Sequence, residues 1–230
     1  MTTDIDDFFR SIRLGFDIPP VGDLSRVQRT ETVLHVTRHT RGLDRLLEFI
    51  CLRTLNAHDM TNADFQSLCK AEHIEYFGAN IFGVTTLDGI ENLVNLKGLE
   101  LTDNTQLKDI TRIGKLSKLE VFALANCPIT IDLAALSMCN NLRCIWLSSS
   151  YAKPMRVQSL APLAVLSNLE VLKIKNVRVM DKKLKSLCNL RQLKVLELPD
   201  YFTLAEFSAL EIALPNTTGR WKQRIESKRG

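Results

Sequence analysis

The four histidines are the side chains best suited to acid–base or metal chemistry in this chain of 230 residues. His35 and His39 have the four-residue spacing with which two imidazoles on one helix can share a metal ion, but here they straddle a predicted strand and the following turn. His58 beside Asp59 is a pair of the kind that transfers protons. No nucleophile or second carboxylate is identifiable near His58, so we predict no enzyme, no cofactor and no metal site.

Cysteine is the other residue type with reactive potential. The six cysteines include no Cys-x-x-Cys pair, which is the spacing typical of zinc sites and of thiol redox motifs. The sequence therefore predicts neither. Residues 1–7 are acidic and lack the pattern of a secretory signal, so we expect reduced thiols in a cytoplasmic protein. Cys144 occupies an outward position of a predicted strand and is the one candidate for a reactive thiol.

The charge of the chain favours some partners over others. A net charge of +4 permits an acidic protein surface as partner. No nucleic-acid motif accompanies it, so nucleic acid is not favoured. No apolar run is long enough to span a membrane, and no glycine-rich phosphate loop is present.

A repeated leucine pattern must position these residues. The pattern is a Leu-x-x-Leu-x-Leu block with conservative replacements, and its clearest copies begin at Leu96, Leu119, Leu142, Leu169 and Leu193. Alternating leucines predict a short strand in each copy. A following apolar series with a period of three to four residues predicts a short helix or 3₁₀ turn.

This pattern resembles the leucine-rich repeat, and the short step between copies is similar to that of internalins and phosphatase regulators. The resemblance implies an α/β solenoid with a concave parallel β-sheet, convex short helices or 3₁₀ turns, and helical caps at both ends. The usual asparagine is present as Asn104 but replaced by Cys127 in the next copy, so we expect an irregular superhelix. We assign residues 1–29 to an N-terminal helical cap with a helix at 4–14, 30–201 to seven or eight repeats, 202–215 to a C-terminal cap and 216–230 to a mobile basic tail. Trp221 in this tail has two alternative roles, folding back onto the C-terminal cap or contacting the partner.

The residues between the strand leucines are expected to form outward columns on the concave face. Trp146 stands out, because tryptophan in such a column is typical of an interface anchor, although it could also pack under a neighbouring loop. The longest repeat step adds residues between Ser148 and Ser159, either as part of a binding face or as a tolerated surface insertion. The residues that we predict to contact a partner are Trp146, Glu100, Arg143, Ser148, Tyr151, Arg156, Lys173, Lys175 and Glu197.

The resemblance implies a non-enzymatic scaffold that binds another protein on its concave face. The basic and aromatic residues favour an acidic surface on that protein. The sequence does not predict the oligomeric state of this chain. The most specific interpretation is an inhibitor or immunity protein that neutralises a cognate toxin. The alternative is a regulatory or adaptor subunit of a cellular enzyme such as a phosphatase, and the rival from another class is a hydrolase or transferase that uses His58.

Overall fold

The computed structural model describes residues 18–107, 109–127, 130–150 and 153–226. The helix predicted at residues 4–14 and the candidate contact Tyr151 lie outside these ranges. Within them the strands are β1 (Val33–Thr37), β2 (Thr54–His58), β3 (Tyr76–Asn80), β4 (Gly98–Thr102), β5 (Val121–Ala125), β6 (Thr130–Ile131), β7 (Cys144–Ser148), β8 (Met155–Val157), β9 (Val171–Lys175), β10 (Val177–Val179) and β11 (Val195–Glu197). The α-helices are α1 (Asn62–Leu68), α2 (Leu204–Ala213) and α3 (Trp221–Glu226).

Eight of these strands form one parallel sheet in the order β1-β2-β3-β4-β5-β7-β9-β11. Each repeat contributes one strand, and the sheet runs through the repeats in chain order. The alternating pattern of each strand sends its leucines into the core, where Leu99 and Leu101 of β4 are fully buried. The predicted repeat solenoid, with one short strand per copy, is therefore present.

The opposite side of the solenoid consists mainly of 3₁₀ turns. They span Leu24–Arg26, Leu43–Glu48, Ile90–Asn92, Thr111–Lys115, Leu133–Met138, Ala161–Val165 and Lys185–Asn189. Most of these turns bury one apolar side chain, as Ile113 and Leu163 show, and the turn Leu133–Met138 buries two. The helix α1 is longer because Thr61 and Asp64 form a reciprocal capping box at its start, and it buries Phe65 and Leu68.

A second sheet of three parallel strands, β10-β8-β6, lies beside the large one in the C-terminal half. The long repeat step, which the sequence indicated as an insertion, contributes its central strand β8. Met155 and Val157 are buried and Arg156 between them is exposed. The same alternation holds in β10. The inserted residues are thus partly a regular extension of the core rather than only a surface loop.

The C-terminal end is closed by two helices. The expectation of a mobile tail from residue 216 is wrong for 216–226, because α3 buries Trp221 and Ile225. Trp221 stacks on Phe207 of α2 with 6.1 Å between ring centroids. Gly219 brings the chain close enough to the last strand that a Cβ there would overlap the carbonyl oxygen of Leu196. Of the two alternatives for Trp221, the structure therefore has the one in which it packs against the C-terminal cap.

Candidate functional site

The middle column of the concave sheet holds the outward residues that the repeat spacing predicted. The predicted members, which are in register across the strands, are Asn56, Gly78, Glu100, Ala123, Trp146, Lys173 and Glu197. His35 of β1 also belongs to this column, whereas the repeat spacing had assigned it to a core position. The two ends of this column differ in exposure. His35 and Asn56 retain 5% and 0% of their accessible surface, whereas Trp146 and Lys173 are partly exposed.

Strands β7 and β9 bring an aromatic ring and two cations together. The ammonium nitrogen of Lys173 lies 5.8 Å from the ring centroid of Trp146, which is the geometry of a cation–π contact. Lys175, two residues further along β9, is exposed and pairs in register with Ser148. We call Trp146, Ser148, Lys173 and Lys175 the aromatic–basic surface.

The remaining predicted contact residues lie at different distances from this surface. Glu197 pairs in register with Lys173 and therefore borders it. Glu100 is separated from Trp146 in the column by Ala123. Arg156 is on the small sheet and not on the concave face.

Cys144 corrects an expectation from the sequence. Its position at the start of β7 faces the concave side, as predicted, but its side chain is fully buried. It forms a small apolar cluster with Val121 and Val171, against which Tyr76 and Val195 pack. The thiol is therefore shielded and is not the accessible nucleophile that the alternation of the strand had indicated.

A column of alternating charge precedes the strands, and sequence reasoning missed it. It consists of Arg53, Glu75, Lys97, Glu120, Arg143, Glu170 and Lys194, each directly before the first residue of its strand. Glu75 contacts both neighbours, with 2.7 Å to Lys97 Nζ and 3.5 Å to Arg53 Nε. The signal was available as alternating sign at the repeat step.

The same column changes the interpretation of Arg143. Its Nε lies 2.7 Å from Glu170 Oε1, and Glu170 also pairs with Lys194. Burial alone would raise the pKa of Glu170, but the hydrogen bonds from Lys194 and Arg143 outweigh it and hold the pKa below its ordinary value. Arg143 is thus engaged within the fold, in contrast to the lysines of the aromatic–basic surface.

A shallow polar cavity of about 360 Å³ lies along this column. Its lining residues are Glu120, Asn141, Arg143, Asn168, Glu170, Gln192 and Lys194. Because Arg143 and Lys194 both pair with Glu170, the cavity offers little unbalanced charge to a ligand.

Comparisons with known proteins identify the architecture. No family model and no curated protein matches the chain. Among solved structures, an internalin from Listeria monocytogenes superimposes with a TM-score of 0.62 at 17% identity, over 82% of this chain and 54% of that one. A leucine-rich-repeat protein of Leptospira interrogans gives a TM-score of 0.62 at 17% identity, over 88% and 58%. The chain has the leucine-rich-repeat fold. It spans less than two thirds of the length of either structure.

A third similar structure is the mouse RP105/MD-1 complex, with a TM-score of 0.52 and 18% identity. The match covers 84% of this chain and 39% of that one. At such identities the similarity establishes the fold alone, and the function has to be argued from the residues of this chain.

The asparagine position of the leucine-rich repeat shows how this chain departs from a regular array. Buried Asn104 accepts hydrogen bonds from the backbone N–H groups of Gln106 and Leu107, both at 2.7 Å. Cys127 takes the equivalent place in the next repeat and donates through Sγ to the carbonyl of Ala125 at 3.3 Å. Burial raises the pKa of the Cys127 thiol to about 11, which keeps it protonated in this role.

The three histidines that the sequence singled out, His35, His39 and His58, each contact a neighbouring group of the chain. Nδ1 of His35 lies 2.7 Å from the carbonyl oxygen of Ile18, and Arg38 donates to Nε2 of His39. The ring of His58 meets that of His35 edge to face at 4.7 Å. Burial, followed by the charge of His35, lowers the pKa of His58. Among the described residues no three His, Cys, Asp or Glu side chains converge as metal ligands, and no helix there has the length and hydropathy to cross a membrane.

Proposed function

We propose that this chain is a non-enzymatic protein-binding module whose partner binds to the aromatic–basic surface. The observation that carries the proposal is the Lys173 ammonium held over the Trp146 ring on the concave sheet. Trp146 offers apolar area at small entropic cost, and tryptophan is enriched among the residues that dominate binding energy. The lysines beside it supply positive charge that attracts acidic groups of a partner.

The charge of the surface indicates an acidic partner. Lys175 is exposed, and no ion pair within the described residues neutralises it or Lys173. The cations of the alternating column, by comparison, have carboxylates beside them, as Lys97 has Glu75. Charges left open at a surface steer association and select partners of opposite sign.

The solved structures support protein binding in general. The mouse structure that resembles this chain is a complex of RP105 with MD-1. Transfer of protein binding from that structure to this chain is part of the proposal, since the identity is 18%.

The experiment is an affinity capture from native lysate with the wild-type chain and a Trp146→Ala, Lys173→Glu double variant. We expect one stoichiometric protein that the wild type captures and the variant loses. The control is a Val165→Ala, Lys115→Glu double variant, which makes the same types of change at exposed positions on the convex side. Equal capture by both variants would contradict the proposed surface.

Within this function, our finer proposal is neutralisation of a cognate toxin in the cytoplasm. The six cysteines, none of them in a disulfide, are compatible with a reducing compartment. Co-expression with the captured protein tests it: rescue of growth by the wild type and not by the double variant is the expected result. A captured housekeeping enzyme such as a phosphatase, with no toxicity to relieve, would assign the chain to regulation of that enzyme instead.

A further inference from the structure

The small sheet places two arginines side by side. Arg156 of β8 pairs in register with Arg178 of β10, and both side chains are exposed. Each lies between two buried neighbours, so alternation sends both guanidinium groups to the same face of the sheet. On the other side of Arg156, Thr130 of β6 continues the row with a hydroxyl group.

This arrangement is unfavourable in the isolated chain. Neighbouring strands are about 4.8 Å apart, and like charges at paired positions destabilise a sheet. No carboxylate within the described residues forms an ion pair with either guanidinium. The alternating column on the large sheet is the contrast, because there opposite signs are neighbours. Two exposed arginines that form no ion pair within the described residues are therefore available to bind an anion.

The edge of the small sheet excludes one binding mode. The hydroxyl of Tyr201 accepts from the N–H of Val179 at 2.7 Å and donates to the carbonyl of Val177 at 3.0 Å. Two of the backbone groups that an added strand would use on β10 are thus already bonded, and the carbonyl of Val179 also accepts from the N–H of Lys182. A ligand at this sheet has to engage the arginine side chains on its face rather than extend the sheet.

We propose that Arg156 and Arg178 bind neighbouring carboxylates of an acidic peptide segment. The planar guanidinium matches a carboxylate with two parallel hydrogen bonds, and two forks on adjacent strands accommodate two such groups. The chain passes from Lys175 at the end of β9 through Asn176 directly into β10. Only one residue therefore separates the aromatic–basic surface along the chain from the strand that carries Arg178, which belongs to a different sheet. The inference rests on the proposed function for its natural partner.

The test measures peptide binding directly and does not need the natural partner. The probe is a fluorescein-labelled decapeptide of alternating Asp and Glu, titrated with the full chain and followed by fluorescence anisotropy. A peptide of alternating Asn and Gln serves as the uncharged reference. We expect binding of the acidic peptide only, and an Arg156→Gln, Arg178→Gln double variant weakens it at least about fivefold.

Two further variants separate geometry from net charge. A Lys70→Gln, Lys115→Gln double variant removes the same charge at exposed positions elsewhere and should bind as the wild type does. An Arg156→Lys, Arg178→Lys double variant keeps the charge and loses the fork, and we expect intermediate affinity. Unchanged binding in the arginine-to-glutamine variant, or equal loss in the lysine control, would overturn the site.

Other outcomes distinguish this site from the proposed function. If a phosphoserine peptide without Asp or Glu, or an RNA oligonucleotide, displaces the acidic probe more effectively than unlabelled probe, the carboxylate assignment is wrong. The Trp146→Ala, Lys173→Glu variant separates the two proposals. If it binds the acidic probe as the wild type does, the arginine site stands. If it also captures the same partner as the wild type, the concave-face proposal fails.

Discussion

The two ends of the concave sheet use equivalent positions in opposite ways. At the N-terminal end, His35 and Asn56 occupy the middle column and are buried. At the C-terminal end, Lys173 occupies the same column, partly exposed over Trp146. The repeat therefore fixes where a column lies but not whether its side chains serve the fold or a partner.

What the halves share is the column of alternating charge. Glu75 bridges two cations in the N-terminal half, and Glu170 bridges two in the C-terminal half. Because the signs alternate, this column of four cations and three carboxylates carries a net charge of only +1. The contrast between the two halves thus comes from the middle column.

Removal of the C-terminal anchor should have the largest effect. Trp221 is buried against Phe207, so Trp221→Ala is expected to cost about 3–5 kcal/mol of unfolding free energy. Urea denaturation measures the cost, and Trp221→Phe, which keeps an aromatic ring, should lose much less. Since each repeat contacts only its neighbours, hydrogen exchange should accelerate first in the C-terminal half. Uniform acceleration across β1 to β11 would show that the halves unfold as one unit.

The charge column offers a matched pair of changes. The side chain of Glu170 is 15% exposed and that of Glu75 is 27% exposed. The arginine that pairs with Glu170 lies 2.7 Å away, whereas the arginine that pairs with Glu75 lies 3.5 Å away. We expect Glu170→Gln to lower the unfolding free energy by about 1–2 kcal/mol and Glu75→Gln by about half as much. Thermal denaturation of both variants checks the order. A larger loss at Glu75 would place the stronger link in the N-terminal half.

Acidification should weaken the N-terminal half first. All four histidines lie between residues 35 and 73. Burial lowers the pKa of both His58 and His73 below the usual 6.5. The folded state therefore takes up protons less readily than the unfolded state, so stability present at neutral pH is lost as pH falls through about 6.5.

Melting temperatures of the wild type at pH 7.5, 6.5 and 5.5 should decline, and less so for a His58→Gln, His73→Gln double variant. Hydrogen exchange at pH 5.5 locates the change, with strands β1 to β3 expected to open before β7 to β11. Equal pH dependence in wild type and variant would assign the decline to other groups.

The sequence predicted the strands and columns well because leucine spacing sets them. It placed Trp146 and Lys173 in one column, as the register has them. It missed the burial of Cys144, because alternation tells which face a side chain joins and not what covers that face. It left the place of Trp221 open for a related reason: a polar segment with two apolar anchors folds only when a preceding helix offers them a surface. The arginine pair of β8 and β10 needed the register of a sheet that no repeat pattern predicts.

The smallest effect on stability is expected where we propose the largest effect on binding. Lys175 is exposed, and the Lys173 ammonium contacts only the face of the Trp146 ring among the contacts described. Lys173→Gln and Lys175→Gln should therefore each change the unfolding free energy by less than about 0.5 kcal/mol. The same substitutions should weaken capture of an acidic partner, and more so at low salt, where the charges are less screened. A stability loss above about 1 kcal/mol would mean that these lysines, like the polar residues of the N-terminal half, serve the fold itself.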